Sequence, residues 1–526
     1  MGCRLLRSTC LKKSTFIAIV FGLLVVQIQV SNADMMKTRF NSDERRAAAD
    51  GFISAMDDAG YVVTEGYLSF FTIDDCEFFA SQSDGAGCMG NNPVNPYGIY
   101  MVPTVDGEYM EDLPYLMRGD EKLYLTHRYG VEEATIYFGR TPPPAEYLGF
   151  TTYLGNRYVD GEDLVIGASL SDTLNPTNIK VDSDGSYDDA FDKDVVVVNV
   201  GVESTYLAIQ QAFAAANVSE DIMNLQVVSP DVFQYGLERD ADTYNFLHRA
   251  HLYKNLTQQE ERQSSPPVLI FRVTPKVSNS QLNYYPRPDR FDRKDKREDF
   301  AADLNTLENA IRETYDDYTV IRNNASFPFL HFGEDCIDDD ENCNGDNADT
   351  VYIGNFQWEL LTETNFYVVF GANHAKTNMA KYCNVAVLNP AERTSIGEFN
   401  SINDMEGSAQ EYVEDLDHLY VMHVRRNCTG HNFCFEVSYE LPAGLTADTP
   451  PGFIERAYMK PGTTAGPHPL DLALFRVVFV NTEKTKIPIK IQIKNAVTSF
   501  LIGIRNRAVE EIKKRYPFYH PPLTIF

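Results

Sequence analysis

The sequence is short of positive charge, since 46 Lys and Arg stand against 75 Asp and Glu and give a formal net charge of −29 at pH 7. Such a chain repels phosphate backbones and anionic membrane surfaces, which argues against nucleic acid as a partner. It has one tryptophan, although tyrosine and phenylalanine raise the aromatic content to 12%. That content and a hydrophobic fraction of 44% are typical of a globular protein.

Several motifs of enzyme chemistry are missing. The chain has no GxSxG elbow, no P-loop, no HExxH motif and no GxGxxG followed by a helical pattern. Interpretations as an elbow-type hydrolase, a nucleotide hydrolase or a dinucleotide-binding enzyme therefore have no support. Downstream of the N-terminus no apolar run is long enough to cross a bilayer, so no integral membrane span is expected there.

The N-terminus has the pattern of a secretory signal peptide, residues 1–33. Four basic residues up to Lys13 precede the apolar run 16–26, and small residues at 31 and 33 suit a signal peptidase. This pattern predicts cleavage before Asp34, with an uncleaved membrane anchor as the alternative. The expected location is the extracellular space or the lumen of the secretory pathway.

Seven of the nine cysteines follow the signal, and six of them form close pairs that predict disulfides in a secreted chain. The expected disulfides join Cys76 to Cys88, Cys336 to Cys343 and Cys428 to Cys434. Cys383 is left over in an apolar strand, where a buried free thiol is expected. Four Asn-X-Ser/Thr sequons predict N-glycosylation in a eukaryotic host. Their asparagines are Asn217, Asn255, Asn324 and Asn427.

Two stretches, 134–156 and 366–389, share one pattern: an apolar strand ending in Phe-Gly, an irregular loop, a tyrosine and a second strand. The strands that follow also match in order, because 193–201 corresponds to 416–424. This agreement predicts an internal repeat. The alternative is that apolar strands resemble one another, since they draw on few residue types.

We therefore expect an α+β protein that is β-rich, with two pseudo-repeated, largely antiparallel sheet units and peripheral helices. The expected divisions are a signal peptide (1–33), an N-terminal helix and short-strand region (34–132), a first repeat unit (133–275), a linker, helix and acidic Cys loop (276–350), a second repeat unit (351–480), and a C-terminal strand and helix (481–526). Helices are predicted over 43–58, 204–216, 240–256 and 299–318. The third would place His248 and His251 on one face, a spacing that can hold a metal ion only with further ligands.

The acidic stretch 334–349 (EDCIDDDENCNGDNAD) concentrates oxygen ligands around Cys336 and Cys343. Calcium prefers such ligands, and a disulfide would order the loop in advance. The spacing does not match an EF-hand, and a solvated acidic loop is the alternative. Calcium is the one cofactor that we expect. Its candidate ligands are Asp338, Asp340, Asp346 and Asp349.

The candidate active site is the loop that follows the second Phe-Gly. Here His374 would act as a general base oriented by Asn373, while Lys376 or Tyr382 stabilises negative charge. Arg140 follows the corresponding Phe-Gly of the first unit, so a cleft between the two units would bring both loops together. A purely structural role for the loops is the alternative.

Two functions remain open at this point. One is a secreted acidic glycoprotein that acts as an extracellular enzyme of hydrolase type, with a cleft between two repeat units. The other is a non-catalytic extracellular ligand-binding or cell-surface protein, stabilised by calcium, whose ligand is a small molecule or a glycan. The sequence gives no indication of the oligomeric state.

Overall fold

The computed structural model describes residues 42–71, 92, 97–111, 113, 115–118, 121–182, 185–279, 281–291, 293, 297–322, 325–392, 394–441 and 444–483. The predicted signal peptide, the sequon at Asn324 and the C-terminal strand and helix after 483 lie outside these residues. The described part is β-rich, as expected.

Five α-helices occur within the described residues: α1 (Ser42–Asp58), α2 (Glu203–Ala215), α3 (Leu256–Ser264), α4 (Ala301–Thr314) and α5 (Gly333–Asp338). The helices predicted over 43–58, 204–216 and 299–318 coincide with α1, α2 and α4. The helix predicted over 240–256 is wrong, because the strand Tyr244–Tyr253 occupies its centre. Side chains alternate across a strand, so His248 and His251 face opposite sides and cannot share a metal ion.

The strands form four sheets. In chain order they are β1 (Tyr61–Phe71), β2 (Tyr97–Met101), β3 (Tyr115–Arg118), β4 (Glu121–Tyr124), β5 (Ala134–Arg140), β6 (Ala145–Val159), β7 (Glu162–Ser169), β8 (Asp194–Val200), β9 (Met223–Val227), β10 (Tyr244–Tyr253), β11 (Val268–Pro275), β12 (Thr319–Arg322), β13 (Phe327–Pro328), β14 (Thr350–Phe356), β15 (Asn365–Ala372), β16 (Tyr382–Asn389), β17 (Thr394–Asn400), β18 (Leu419–Arg425), β19 (Cys434–Glu436), β20 (Gly452–Tyr458) and β21 (Arg476–Asn481). A curled nine-stranded sheet has the order β7-β6-β10-β2-β1-β11-β5-β8-β9. Two five-stranded sheets have the orders β12-β21-β15-β18-β19 and β13-β14-β20-β16-β17, and β3 pairs with β4.

Strand β1 joins the two arms of the nine-stranded sheet. Its residues 61–66 pair with β11, and its residues 67–71 pair with β2. A Cβ atom at Gly66 would lie 2.1 Å from the carbonyl oxygen of Met101. Glycine is therefore required where β1 passes from one arm to the other, and the sheet can curl around the core that it encloses.

The elements pack as successive layers. Helices α1 and α2 cover the outer face of β5, β8 and β11, and a first core fills the space between the two arms of the nine-stranded sheet. A second core lies between the two five-stranded sheets. Helix α4 covers the outer face of the sheet that contains β15, β18 and β21. The two halves meet where β6 and β10 face β16 and β20. This central junction is lined by Tyr147, Tyr382 and Tyr458.

The two halves have the same strand order. The arm β1-β11-β5-β8-β9 has the same order of neighbours as β12-β21-β15-β18-β19, and in both the last pair alone is parallel. The arm β2-β10-β6-β7 likewise has the order of β14-β20-β16-β17. In each half these nine strands also follow one another along the chain in the same sequence. The two Phe-Gly loops join β5 to β6 and β15 to β16.

Two of the three predicted disulfides are confirmed. Bonds join Cys336 to Cys343 and Cys428 to Cys434, and Cys383 is a buried free thiol in β16. The structure does not test the third predicted disulfide, because Cys76 and Cys88 both lie outside the described residues. The bond between Cys76 and Cys88 therefore stays a prediction from the sequence.

Two predictions concern the surface: that no segment after the signal spans a membrane, and that the sequon asparagines are glycosylated. None of the helices among the described residues is long and apolar enough to cross a membrane. The three described sequon asparagines, Asn217, Asn255 and Asn427, are exposed. Glycosylation at these positions would therefore meet no steric obstacle from the fold.

Candidate functional site

His374 lies in the turn between β15 and β16 and is fully buried. The loop closes over it, because the backbone N–H groups of Met379 and Ala380 donate to its carbonyl oxygen at 2.9 and 3.0 Å. Its Nδ1 is 3.2 Å from Glu298 Oε1, and its Nε2 is 3.5 Å from Glu455 Oε2. Burial alone would lower the pKa of His374, but the two carboxylates raise it well above the ordinary value. The two carboxylates therefore favour the protonated form of His374.

Both carboxylates have further donors. The Thr377 hydroxyl donates to Glu298 Oε1 at 2.5 Å, and the backbone N–H of Ala473 donates to its Oε2 at 2.7 Å. The Tyr420 hydroxyl donates to Glu455 Oε1 at 3.1 Å. Only Nδ1 of His374 is hydrogen-bonded to a carboxylate, since Nε2 approaches Glu455 at 3.5 Å without a hydrogen bond. A protonated imidazole has no lone pair with which to accept a proton. The arrangement therefore suits an ion network that holds β15, β20 and the segment around Glu298 together.

The other candidate catalytic residues have separate partners. Asn373 Oδ1 accepts from the backbone N–H of Lys376 at 3.3 Å, and Lys376 Nζ pairs at the surface with Glu406 at 2.6 Å. Tyr382 donates to Glu398 at 2.9 Å. Arg140 pairs with Asp192 at 2.7 Å in the first half. The structure does not gather Lys376, Tyr382 and Arg140 around His374.

Cys383 is the one free thiol that lies beside this network among the described residues. Its Sγ is 3.9 Å from Asn373 Oδ1, and burial raises the pKa of the thiol. A thiol that stays protonated at neutral pH is a poor nucleophile. Its position inside β16 suits a packing role.

Two of the four candidate calcium ligands form ion pairs. Asp338 is exposed and accepts from Arg287 at 2.8 Å, while Asp340 pairs with Arg157 at 3.1 Å. Across the described part of the chain, no group of three His, Cys, Asp or Glu side chains is arranged to hold a metal ion. Calcium binding by this loop stays a prediction from the sequence.

The other two candidate calcium ligands attach the acidic loop to the first half. Asp346 accepts from the backbone N–H and the hydroxyl of Ser169, both at 2.7 Å. Asp349 accepts from the Tyr147 hydroxyl and from Asn175 Nδ2, both at 2.8 Å. Through these hydrogen bonds the acidic loop connects the two halves.

Aromatic side chains fill the central junction. The Tyr147 ring centroid lies 4.8 Å from that of Tyr458 and 5.4 Å from that of His251, and Tyr458 lies 5.3 Å from Tyr382. The Tyr458 hydroxyl is 3.2 Å from His251 Nε2. His251 lies opposite Tyr147 in the β10–β6 register, as Tyr458 lies opposite Tyr382 in the β20–β16 register. The two halves contribute equivalent positions to one cluster.

Two buried arginines flank the cluster at equivalent positions as well. The Arg249 guanidinium lies 5.1 Å from the Tyr97 ring centroid, and the Arg456 guanidinium lies 5.7 Å from that of Tyr352. Such contacts compensate part of the cost of burying the charge. Sequence reasoning missed both arginines. The signal was present, because Arg-Ala-His at 249–251 recurs as Arg-Ala-Tyr at 456–458.

A buried carboxylate accepts from each of the two equivalent tyrosines. Tyr147 donates to Asp349, and Tyr382 donates to Glu398. Burial raises the pKa of each carboxyl to about 7. Both carboxyl groups are therefore expected to titrate near neutral pH, although they are buried where the two halves meet.

A cavity of about 60 Å³ opens beside the junction. Its polar lining includes the guanidiniums of Arg293 and Arg456 and the carboxylate of Asp346. Phe332 stacks on Arg293 at 4.5 Å and supplies an apolar wall. Two cations outnumber one carboxylate; the carboxylate accepts from Ser169, and Arg293 donates to the carbonyl oxygens of Thr350 and Asn347. This junction pocket suits a small ligand with an anionic group and an apolar part.

Comparison with known proteins adds no family. Neither the protein-family models nor the curated proteins gave a match to this chain. The geometry of these sites is therefore the basis for any functional conclusion.

Replacing His374 tests whether the network is structural. His374→Ala would leave the carboxylates of Glu298 and Glu455 buried together without their cation. We expect the free energy of unfolding, measured with urea at pH 7, to fall by about 3–5 kcal/mol. The control Lys376→Ala alters an exposed side chain of the same loop and should leave stability unchanged. An unchanged His374→Ala protein would contradict the structural role.

Asp349 predicts a pH dependence of stability. Its pKa rises from an ordinary 3.8 to about 7 in the fold, so the folded state binds the proton more tightly than the unfolded state. The free energy of unfolding should therefore fall as pH rises from about 4 to about 7 through this group. Urea titrations at pH 5 and pH 8 should show that Asp349→Asn gains stability relative to the wild type at pH 8. The exposed control Asp338→Asn should show no such gain, and equal pH slopes for wild type and Asp349→Asn would refute the assignment.

Proposed function

We propose that the protein is a secreted, non-catalytic binding protein built from two copies of one β-sandwich unit, and that it takes a small organic anion in the junction pocket. The observation that carries this proposal is the paired placement of buried guanidinium groups around the cavity at the junction of the halves. The acidic composition and the two disulfides are compatible with an extracellular setting.

The duplication is supported by topology and by local chemistry together. The order of nine strands matches between the halves, and one parallel pair stands at the same place in each, which supports the duplication. The equivalent pairs Arg249/Tyr97 and Arg456/Tyr352 add side-chain agreement at matching registers. Duplication would give the two halves complementary faces, which pack against each other at the junction.

Binding is favoured over hydrolysis because of what the candidate groups already contact. The His374 imidazole, the candidate general base, is fully buried and lies between two carboxylates. Arg293 and Arg456 border a cavity, and Arg293 is held there by the carbonyl oxygens of Thr350 and Asn347, each at 3.0 Å. Fixed guanidiniums above apolar walls recognise carboxylates without needing a nucleophile.

Propionate is a suitable probe for the junction pocket, because it joins a carboxylate to a short apolar chain. Calorimetric titration should give saturable binding of propionate and none of propylammonium, which has the opposite charge. Arg456→Met should weaken propionate binding about tenfold or more, the value of a lost charged hydrogen bond.

The first half provides a matched control for this substitution. Arg249→Met removes the equivalent arginine, which does not line the pocket and donates to the Tyr153 hydroxyl at 2.7 Å. We expect similar destabilisation from both variants but unchanged propionate affinity in Arg249→Met. Absence of propionate binding to the wild type, or equal loss in both variants, would refute the pocket assignment.

Secretion and glycosylation form a separate test. Expressed in eukaryotic cells, the full-length chain should reach the medium with Asp34 as its first residue. Treatment with a peptide N-glycosidase should lower its mass, and Asn217→Gln, Asn255→Gln and Asn427→Gln should each remove part of that loss. Retention in the membrane fraction would favour the uncleaved anchor instead.

A further inference from the structure

Arg262 is a cation buried inside the first half. It projects from α3, and the residue is 3% exposed. Within the described residues its one hydrogen bond runs from Nη2 to the Tyr137 hydroxyl at 2.6 Å. Its Nε and Nη1 atoms are buried and have no hydrogen-bond partner there. A guanidinium has five N–H groups, so most of this donor capacity is unused.

No carboxylate among the described residues forms an ion pair with Arg262. The other charges around Tyr137 belong to pairs of their own, because Arg45 bonds to Asp194 at 2.8 Å and Arg140 to Asp192 at 2.7 Å. The region around Tyr137 therefore carries one positive charge in excess. A buried charge without a counter-ion costs several kcal/mol.

Two further polar groups around Tyr137 also lack partners. His248 is fully buried, and neither of its ring nitrogens has a hydrogen-bond partner in the part of the chain that the structure describes. The Tyr100 hydroxyl is buried and likewise without a partner within those residues. The Tyr137 ring centroid lies 6.3 Å from that of His248 and 5.8 Å from that of Tyr100. Two strands and a helix thus place unused polar groups around the Tyr137 ring.

His248 supplies a hydrogen-bond donor but no second positive charge. Burial and the positive charge of Arg262 lower the pKa of His248 well below its ordinary value. The ring is therefore neutral at pH 7 and carries one N–H group. Together with the guanidinium and the Tyr100 hydroxyl, it provides donors of the kind that an anion needs.

We propose that this interior site, formed by Arg262, Tyr137, Tyr100 and His248, binds one small monovalent anion of the halide class, with chloride as the extracellular ion. One negative charge balances the single excess guanidinium. The surroundings favour a small ion, because Phe150 and Phe246 are fully buried neighbours with ring centroids 4.8 Å from His248 and 3.8 Å from Tyr100. The bound ion would fasten α3 to β10 inside the first half.

Thermal unfolding in matched salts tests this site. The wild-type protein is melted in sodium chloride and in sodium gluconate at equal ionic strength, since gluconate is too large to enter. The midpoint should be higher in chloride and rise by about 2 °C for each tenfold increase in chloride above the dissociation constant. Arg262→Met keeps the apolar stem and removes the charge, so its midpoint should be the same in both salts.

An exposed arginine provides the control for general salt effects. Arg46→Met removes a surface pair with Glu65 and should keep the full chloride dependence of the wild type. Crystals of the wild-type protein soaked in bromide should show an anomalous peak within hydrogen-bond distance of Arg262 Nη1, and this readout does not require the variant to fold. Equal midpoints of the wild type in both salts together with no bromide peak would overturn the proposal. So would a chloride effect that persists in Arg262→Met, because it would place the ion elsewhere.

Discussion

The packing of β6 and β10 against β16 and β20 is the contact on which the rest of the structure depends. Each half alone would expose Tyr147 or Tyr458, together with the buried carboxylates that accept from Tyr147 and Tyr382. The rings of Tyr147 and His251 contact that of Tyr458 across the halves at 4.8 and 4.9 Å and bury this surface, and the hydroxyls of Tyr147 and Tyr382 donate to Asp349 and Glu398. The acidic loop also connects the two halves, because its Asp346 and Asp349 accept hydrogen bonds from Ser169 and Tyr147 of the first half. Stability of the halves and of the junction pocket should therefore change together.

Buried cations in the described part of this acidic chain are satisfied in two ways. Arg272 is enclosed by the carboxylates of Glu133 and Glu108, each at 2.6 Å, and His374 lies between those of Glu298 and Glu455. Arg249 donates instead to the neutral hydroxyls of Thr151 and Tyr153. Arg262 has fewer contacts, since its Nε and Nη1 atoms have no hydrogen-bond partner within the described residues. A bound anion would accept from these donors and supply a counter-charge, which is what a low-dielectric interior favours.

The helices and strands that were predicted correctly are those whose sequence signal lies within a few neighbouring residues. Helix α4 followed from its apolar spacing, and β8 followed from its run of valines, because these signals lie within a few residues of each other. The segment 240–256 misled because Leu247 and Ala250 have the i, i+3 spacing of a helical face, while the period-two burial of Tyr244, Phe246 and His248 is that of a strand. The partners of His374 could not be predicted, since Glu298 and Glu455 are distant along the chain and no spacing reports their approach. Arg249 and Arg456 lay within reach of sequence reasoning, through the recurring Arg-Ala-His and Arg-Ala-Tyr.

Positions that correspond in the strand order of the two halves differ in their surroundings. Arg249 of the first half is satisfied internally, because it donates to Thr151 and Tyr153. Arg456 of the second half also borders a cavity, together with Arg293 and Asp346. Likewise the first Phe-Gly loop is built of prolines, whereas the second closes over His374 and its two acids. The pocket proposed for an anion is lined by residues between 293 and 469. One of them, Asp346, also accepts from Ser169 of the first half, so we expect ligand binding to stabilise the contact between the halves as well as the pocket itself.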